Sequence, residues 1–191
     1  FEHSRDVIDE IEPAAMWLCT PPQVRREPLT LCAERGIPVL CEKPVGRELA
    51  EARRTAEALR ELDAKVQIGY VFRSIPTVRR LVEALADDRV HLVQSFYGCG
   101  VGLSRSLAPW FYDKDLSGGA LIDQATHNLD LLRMLMGEAS EVRGLAANPV
   151  QAKEKGYTID EVITLSLLFA DGQAGSHVHT WVGDAWRNEM L

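Results

Sequence analysis

The chain has 191 residues, 46% of them apolar and 26% charged, with a formal net charge of −7. That apolar share supports a packed core and excludes a disordered chain, and an acidic balance without a basic block argues against nucleic acid and anionic membranes as partners. No apolar run approaches the ~18 residues of a membrane span and nothing resembles a signal peptide; Cys19, Cys32, Cys41 and Cys99 form no CxxC pair, so reduced thiols in a cytoplasmic protein are expected.

In chain order, Ser4 is placed to cap a short helix ending at Ile11, and residues 14–19 read as an apolar strand stopped by Thr20, Pro21 and Pro22. A helix over 23–35 closes on Gly36 in the C′ position. A strand at 37–41 follows, then a helix over 48–62 with an apolar stripe at Leu49, Ala52, Ala56 and Leu59, then a strand at 65–70. Strand, helix, strand, helix, strand with short links predicts a parallel sheet with right-handed crossovers. A parallel sheet rarely opens on a short helix, so earlier strand–helix units are expected to be missing.

The pattern changes after Tyr70. Pro76 suits the first position of a helix running to about 86, a strand spans 90–97, and a long irregular stretch holds Pro109 to Asp115. A helix over 119–137 ends at Gly137. Strands at 142–147, 161–169 and 173–182 follow, the last two joined by an Asp171–Gly172 turn. Ile163, Leu165, Leu167 and Phe169 alternate onto one face. The expected fold class is α/β: half of a doubly wound parallel sheet in residues 1–72, then an α+β domain with a large open, mostly antiparallel sheet in 73–191, incomplete at its C-terminus.

Two stretches put polar chemistry where buried elements end or pass. Cys41, Glu42, Lys43 and Pro44 follow a buried strand, and in open α/β sheets ligands bind outside the carboxyl ends of the strands. Lys43 is either an ordinary turn lysine or a ligand-facing one, and a cis bond to Pro44 would aim it into a cleft. Cys41 reads equally as a small buried hydrophobe or a reactive thiol. In 118–137, Asp123, His127 and Asp130 fall at i, i+4 and i+7 on one helix face, among Leu121, Ile122, Ala125, Leu129, Leu131, Leu132 and Leu135. Burying such groups is costly unless they are paired or used. Either they form a self-satisfied network that holds the helix in register, or an imidazole oriented by a carboxylate serves proton transfer.

Other candidates are weaker. Residues 98–102 imitate a GxGxxG fingerprint, but Leu103 stands where a glycine is needed and no helix is predicted to open there, so the stretch reads as loop. His177 and His179 share a strand face; two nitrogens make a poor metal site, and no metal is expected. Trp110, Phe111 and Tyr112 are either core or the wall of a pocket. Arg73 either reaches that pocket or is solvated.

Taken in order, these pieces resemble the Gfo/Idh/MocA family of nicotinamide-dependent oxidoreductases, from about Ile11 to Val182. AMWLCTPPQ is similar to the family's strand ending in a Thr-Pro turn, VLCEKPVG to its Glu-Lys-Pro motif, and QIGYVFR to its Gly-Phe-x-x-Arg-type segment. SGGALIDQATHNLDLLRMLMG is similar to its Gly-Gly-x-x-x-Asp-x-x-x-His-x-x-Asp helix, and LLFADGQAG to its sheet hairpin. The resemblance implies a partial Rossmann-like dinucleotide-binding domain in 1–72 and a substrate-binding and oligomerisation domain in 73–191. It implies NAD or NADP as cofactor, a sugar, inositol or related polyol as substrate, and a homo-oligomer built through the C-terminal sheet.

By the same resemblance, Lys43 hydrogen-bonds the substrate oxygen and helps orient the nicotinamide. Asp123 and His127 form the proton-transfer pair, with His127 as base, and Asp130 binds substrate or supports His127. Thr20, Pro21 and Pro22 lie along the cofactor, with Glu42 near its nicotinamide end; Arg73 and Trp110 are further candidate substrate contacts. Several members have a histidine five positions after the Thr of the Thr-Pro turn, where this chain has Arg25. The family's glycine-rich phosphate turn lies upstream of the matching residues, so a truncated gene or fragment is expected, inactive by itself. Two other functions stand inside the resemblance: a glycosidase using tightly held NAD, and a non-catalytic sugar- or cofactor-binding regulator. Keeping Lys43, Asp123 and His127 together argues against the regulator.

Overall fold

The computed structural model describes residues 3–191, which divide into two compact units, one ending at Gly69 and the other running Tyr70–Leu191. In the first, α1 (Ser4–Ile11), β1 (Met16–Leu18), α2 (Arg26–Glu34), β2 (Val39–Cys41), α3 (Leu49–Glu61) and β3 (Val66–Ile68) alternate. The strands form a parallel sheet in the order β1-β2-β3, with Met16 opposite Val39 and Val39 opposite Val66. Strand residues alternate between faces. Leu18, Val39 and Cys41 therefore turn inwards to meet Ile8, Leu29, Leu31 and Cys32 from α1 and α2. Trp17 and Leu40 stand on the opposite face, 66% and 38% exposed.

Two local expectations need correcting here. Ser4 is the first helical residue of α1 and no side chain caps it. In α3 the buried residue is Thr55, while Leu49 is 65% exposed and Ala56 is also exposed. The helix begins at Leu49, so that side chain sits in the first turn, at the edge of the packed surface. The Thr55 hydroxyl donates to the Glu51 carbonyl at 2.9 Å, which satisfies it within its own helix and makes burial inexpensive.

The second unit contains α4 (Pro76–Ala84), β4 (Leu92–Gly98), α5 (Val101–Ser104), α6 (Lys114–Ser117), α7 (Thr126–Met136), β5 (Ala139–Ala147), β6 (Val162–Phe169), β7 (Ala174–Thr180) and β8 (Arg187–Met190). Its sheet runs β5-β6-β7-β4-β8; β4 and β7 are parallel and every other neighbouring pair is antiparallel. Leu132 and Met136 of α7 pack on Val93, Leu167 and Phe169 of the sheet. A second cluster gathers Tyr97, Cys99, Tyr112, Ile159, Ile163 and Trp181. Fully burying an apolar side chain of the size of Phe169 or Leu132 contributes about 1.5–3 kcal/mol, so these clusters hold α7 firmly on one sheet face.

The stretch read as a loop at 98–102 instead leads into the short helix α5. The Gly102 N–H donates to the Trp181 carbonyl at 2.8 Å, and a Cβ there would lie 2.8 Å from that same oxygen. Only glycine permits the approach. Strand β8 has no apolar alternation and is seen only through its pairing with β4.

Candidate functional site

The first set of candidate residues sits where β1 and β2 end. Parallel pairing puts their carboxyl ends side by side, and the Glu42 N–H donates to the Leu18 carbonyl at 2.9 Å. The turns Thr20–Pro21–Pro22 and Glu42–Lys43–Pro44 therefore leave the sheet together. Lys43 is half-buried, and its bond to Pro44 is cis. The Cys41 thiol is pushed up to about 11, chiefly by burial, so it stays protonated and serves as a small core residue.

Arg25, just before α2, is 3% exposed. Its Nη1 donates to the Glu42 carbonyl at 2.8 Å and also to the Pro44 carbonyl, and its Nη2 donates to the Thr20 carbonyl. One guanidinium thus ties both turns together. The Thr20 hydroxyl and the Gln23 amide oxygen are buried and without a hydrogen-bond partner among the described residues. Buried polar atoms are nearly always satisfied, by water or ligand where not by protein. These two fit a hydrogen-bonding ligand laid along the 20–22 turn, such as a nicotinamide dinucleotide.

The second set gathers on α7 and the turn before it. The helix expected over 119–137 is not a single α-helix: Leu121–Ala125 forms a π-helical turn and α7 starts at Thr126. Such turns occur mostly as local insertions within α-helices, often at functional sites. Here the sheet side explains it. Gln124 Nε2 donates to the Tyr97 hydroxyl at 2.8 Å, and Gln124 Oε1 accepts from the Trp181 indole N–H. Four residues on, Asn128 Nδ2 donates to the Ser95 hydroxyl at 2.9 Å and to Asn188 Oδ1 at 2.8 Å.

Another side of the same helix meets the turn Val71–Ser74. The His127 ring stacks on Phe72 at 4.6 Å between centroids, with 25° between planes. Asp130, 5% exposed, accepts from Arg73 Nε at 2.6 Å and Nη2 at 2.5 Å. The hydrogen-bonded Asp130 carboxylate holds Arg73 above its ordinary pKa, so the guanidinium stays charged throughout the physiological range. Asp123 is 6% exposed and lies in the π turn, one helical turn before the half-buried His127.

The aromatic stretch divides. Tyr112 is core and donates to the Val101 carbonyl at 2.9 Å, whereas Trp110 is half-buried and stacks on Phe111 at 3.7 Å. His177 and His179 are fully buried beneath α7, and burial lowers them to about 4 and about 3, so both are neutral. His177 Nδ1 lies 3.1 Å from the Ser95 hydroxyl. Among the described residues no cluster of three or more His, Cys, Asp or Glu is suited to a metal, and no helix is long and apolar enough to cross a membrane.

Sequence reasoning missed Gln124 and Phe72 and left Arg25 without a role. For Gln124 a signal existed: it follows Asp123 directly, on a helix where a second polar residue must face the sheet. Arg25 stood out only as the residue in place of a family histidine; its hold on the turns had no local signal, because its partners are backbone carbonyls.

A model of the GFO/IDH/MocA C-terminal domain matches residues 75–190, and one described as an oxidoreductase family with an NAD-binding Rossmann fold matches residues 1–70. The rhizopine catabolism protein MocA of Rhizobium meliloti is 30% identical over 138 residues, covering 72% of this chain and 43% of that protein. Inositol 2-dehydrogenase of Rhizobium meliloti (strain 1021) is 29% identical over 135 residues, covering 69% of this chain and 40% of that protein. A solved levoglucosan dehydrogenase, in complex with NADH and levoglucosan, superposes with a TM-score of 0.86 at 23% identity, covering 100% of this chain and 54% of that one. That likeness establishes the shared fold: a Rossmann-like α/β unit followed by an α/β unit with a mixed sheet. The chain spans about half the length of the curated relatives it matches. With the Glu-Lys-Pro turn and the Asp-x-x-x-His helix both in place, the chain belongs to the GFO/IDH/MocA oxidoreductase family.

Proposed function

We propose that the protein is an NAD(P)-dependent oxidoreductase that moves a hydride between nicotinamide and a hydroxyl or carbonyl carbon of a sugar, inositol or related polyol. Relatives named for inositol and levoglucosan dehydrogenation support this substrate class. The observation that carries the reading is the placement of Lys43 at the carboxyl edge of a parallel sheet, beside the buried, unpartnered Thr20 hydroxyl and Gln23 amide oxygen. A ligand-binding edge is where such a fold keeps its cofactor.

In this reading Thr20, Pro21, Pro22 and Gln23 line the cofactor and Glu42 stands near its nicotinamide end. When bound, the nicotinamide supplies the hydride acceptor or donor. Lys43 donates a hydrogen bond to the reacting substrate oxygen. During oxidation of an alcohol the hydride leaves carbon while His127 accepts the hydroxyl proton, and Asp123 stabilises the imidazolium; reduction runs the same steps in reverse. Asp130 and Arg73 support His127 by fixing its helix against the Val71–Ser74 turn, the role their mutual ion pair favours over direct substrate contact. Trp110 is assigned as a substrate-facing aromatic. A homo-oligomer through the C-terminal sheet belongs to the same proposal, and the exposed Val142, Leu145 and Leu168 of β5 and β6 are consistent with it.

The test is nicotinamide absorbance with the natural gene product, a panel of sugars, inositols and uronates, and NAD or NADP, beside a Lys43→Ala control. Substrate-dependent change that disappears in the control is expected. Glycoside cleavage without net nicotinamide reduction, or cofactor binding without turnover of any substrate, would replace this reading.

A further inference from the structure

The Lys43 turn has no long secondary structure to hold it, since β2 is three residues long and α3 starts only at Leu49. A mobile turn would leave the lysine ammonium sweeping a wide volume. Misplacement of a reacting group by about 1 Å costs on the order of 100-fold in rate, so something must fix the backbone at residue 43.

Arg25 is placed to do so. A single nitrogen, Nη1, has no lone pair to offer and donates its two protons to the carbonyls on both sides of Lys43, those of Glu42 and Pro44. The other terminal nitrogen holds the Thr20 carbonyl, at the end of the neighbouring strand. Only a guanidinium combines five donors in a planar fork with a permanent charge. A lysine at position 25 would offer three tetrahedral donors from one nitrogen, and a histidine at most two, in fixed opposite directions. Hydrogen bonds from a charged donor are roughly twice as strong as neutral ones. Arg25 is itself immobile: it is 3% exposed, and its own carbonyl accepts from the Leu29 N–H at 3.2 Å at the start of α2.

We propose that Arg25 is the positioning residue of the Lys43 turn: by clamping the carbonyls that flank Lys43 to the Thr20 turn, it sets where the lysine ammonium reaches. The inference rests on the reading that Lys43 meets the substrate oxygen. Arg25 acts on the lysine through the carbonyls of the turn.

The test is a double-mutant cycle with Arg25→Met and Lys43→Met, read by kcat and KM in the natural gene product, with amide hydrogen exchange measured on the same proteins. Arg25→Met should raise exchange at least about tenfold in residues 20–24 and 42–46, while the amides of β2, α2 and α3 keep their protection. Its kcat should fall at least about tenfold with little change in KM, and Arg25→Lys should recover part of the loss. In the Lys43→Met background Arg25→Met should add almost nothing, because both substitutions remove the same positioned group. Fully additive losses, or exchange that rises throughout the first unit, would make Arg25 a stability residue and overturn the proposal. So would unchanged exchange in residues 42–46. Failure of the functional reading looks different: Lys43→Met alone would leave kcat intact, and the clamp would then hold a turn without a catalytic lysine, which also ends the proposal.

Discussion

The two candidate regions hold their polar residues by opposite means. In the first unit, the turn that carries Lys43 is held through its backbone: Arg25 grips the carbonyls of Thr20, Glu42 and Pro44. In the second, α7 is fixed through side chains: Phe72 on the His127 ring, Arg73 on Asp130, Tyr97 and Trp181 on Gln124. The difference follows from the groups held. On the Lys43 side it is the chain beneath the side chain that Arg25 clamps. On the other side the His127 ring is itself oriented, by its stack on Phe72.

The same contrast separates the units in acid, and the largest effect is expected there. His177 and His179 take up protons readily in the unfolded chain below their ordinary value of 6.5, but the folded second unit resists them down to about 4 and about 3. Stability is therefore full above pH 6.5 and falls as pH drops towards 4, by ~1.4 kcal/mol per pH unit for each group. The first unit has no buried histidine among its described residues, so urea unfolding at neutral and mildly acid pH should show the Trp181 environment lost well before that of Trp17. Equal pH dependence of both signals would erase the contrast.

The next-largest effect is expected at the His127 ring. His127→Ala should lower kcat by about 10²–10⁴-fold with substrate KM changed little, as for loss of a general acid–base group. A matching rise in KM instead would make the ring a binding group.

Arg73→Met leaves the Asp130 carboxylate, 5% exposed, without its cation. Arg73 is itself half-exposed, so the cost is set below that of a fully buried pair, at about 1–3 kcal/mol in urea unfolding. Asp130→Asn in that background should return most of it; no return would mean Arg73 acts through packing. Smallest is Gln124→Met, which strands the Tyr97 hydroxyl and the Trp181 indole N–H. About 1–2 kcal/mol is expected, with the π turn relaxing towards regular helix in a crystal structure of the variant.

Much of this was legible from sequence because it depends on periodicity. The order of strands and helices up to β3, the Asp171–Gly172 hairpin and the inward face of β6 all follow from alternation and turn chemistry, and Ile163, Leu167 and Phe169 are indeed buried. Asp123, His127 and Asp130 were found because charges in an apolar helix are conspicuous. What escaped was set by distant partners. The π turn depends on Tyr97 and Trp181, far from Gln124 in the chain. Arg25 binds carbonyls, which every residue possesses and no sequence distinguishes. Strand β8 is polar and exists because β4 offers it an edge.

The parallel pairing of β4 with β7 bears on how the second unit folds. Hairpins β5–β6 and β6–β7 join neighbours in the chain, but Ser95 and His177, which face each other across β4 and β7, are 82 positions apart. Contacts of such long separation pay their loop-closure entropy before any reward and slow the folding of the domains that need them. The intervening chain includes α7 with its π turn, and Asn128 docks by bonding Ser95 on β4 and Asn188 on β8. The His127 helix therefore takes its final seat only once β4 has paired, which puts Asp123 and His127 among the parts of the second unit that assemble late.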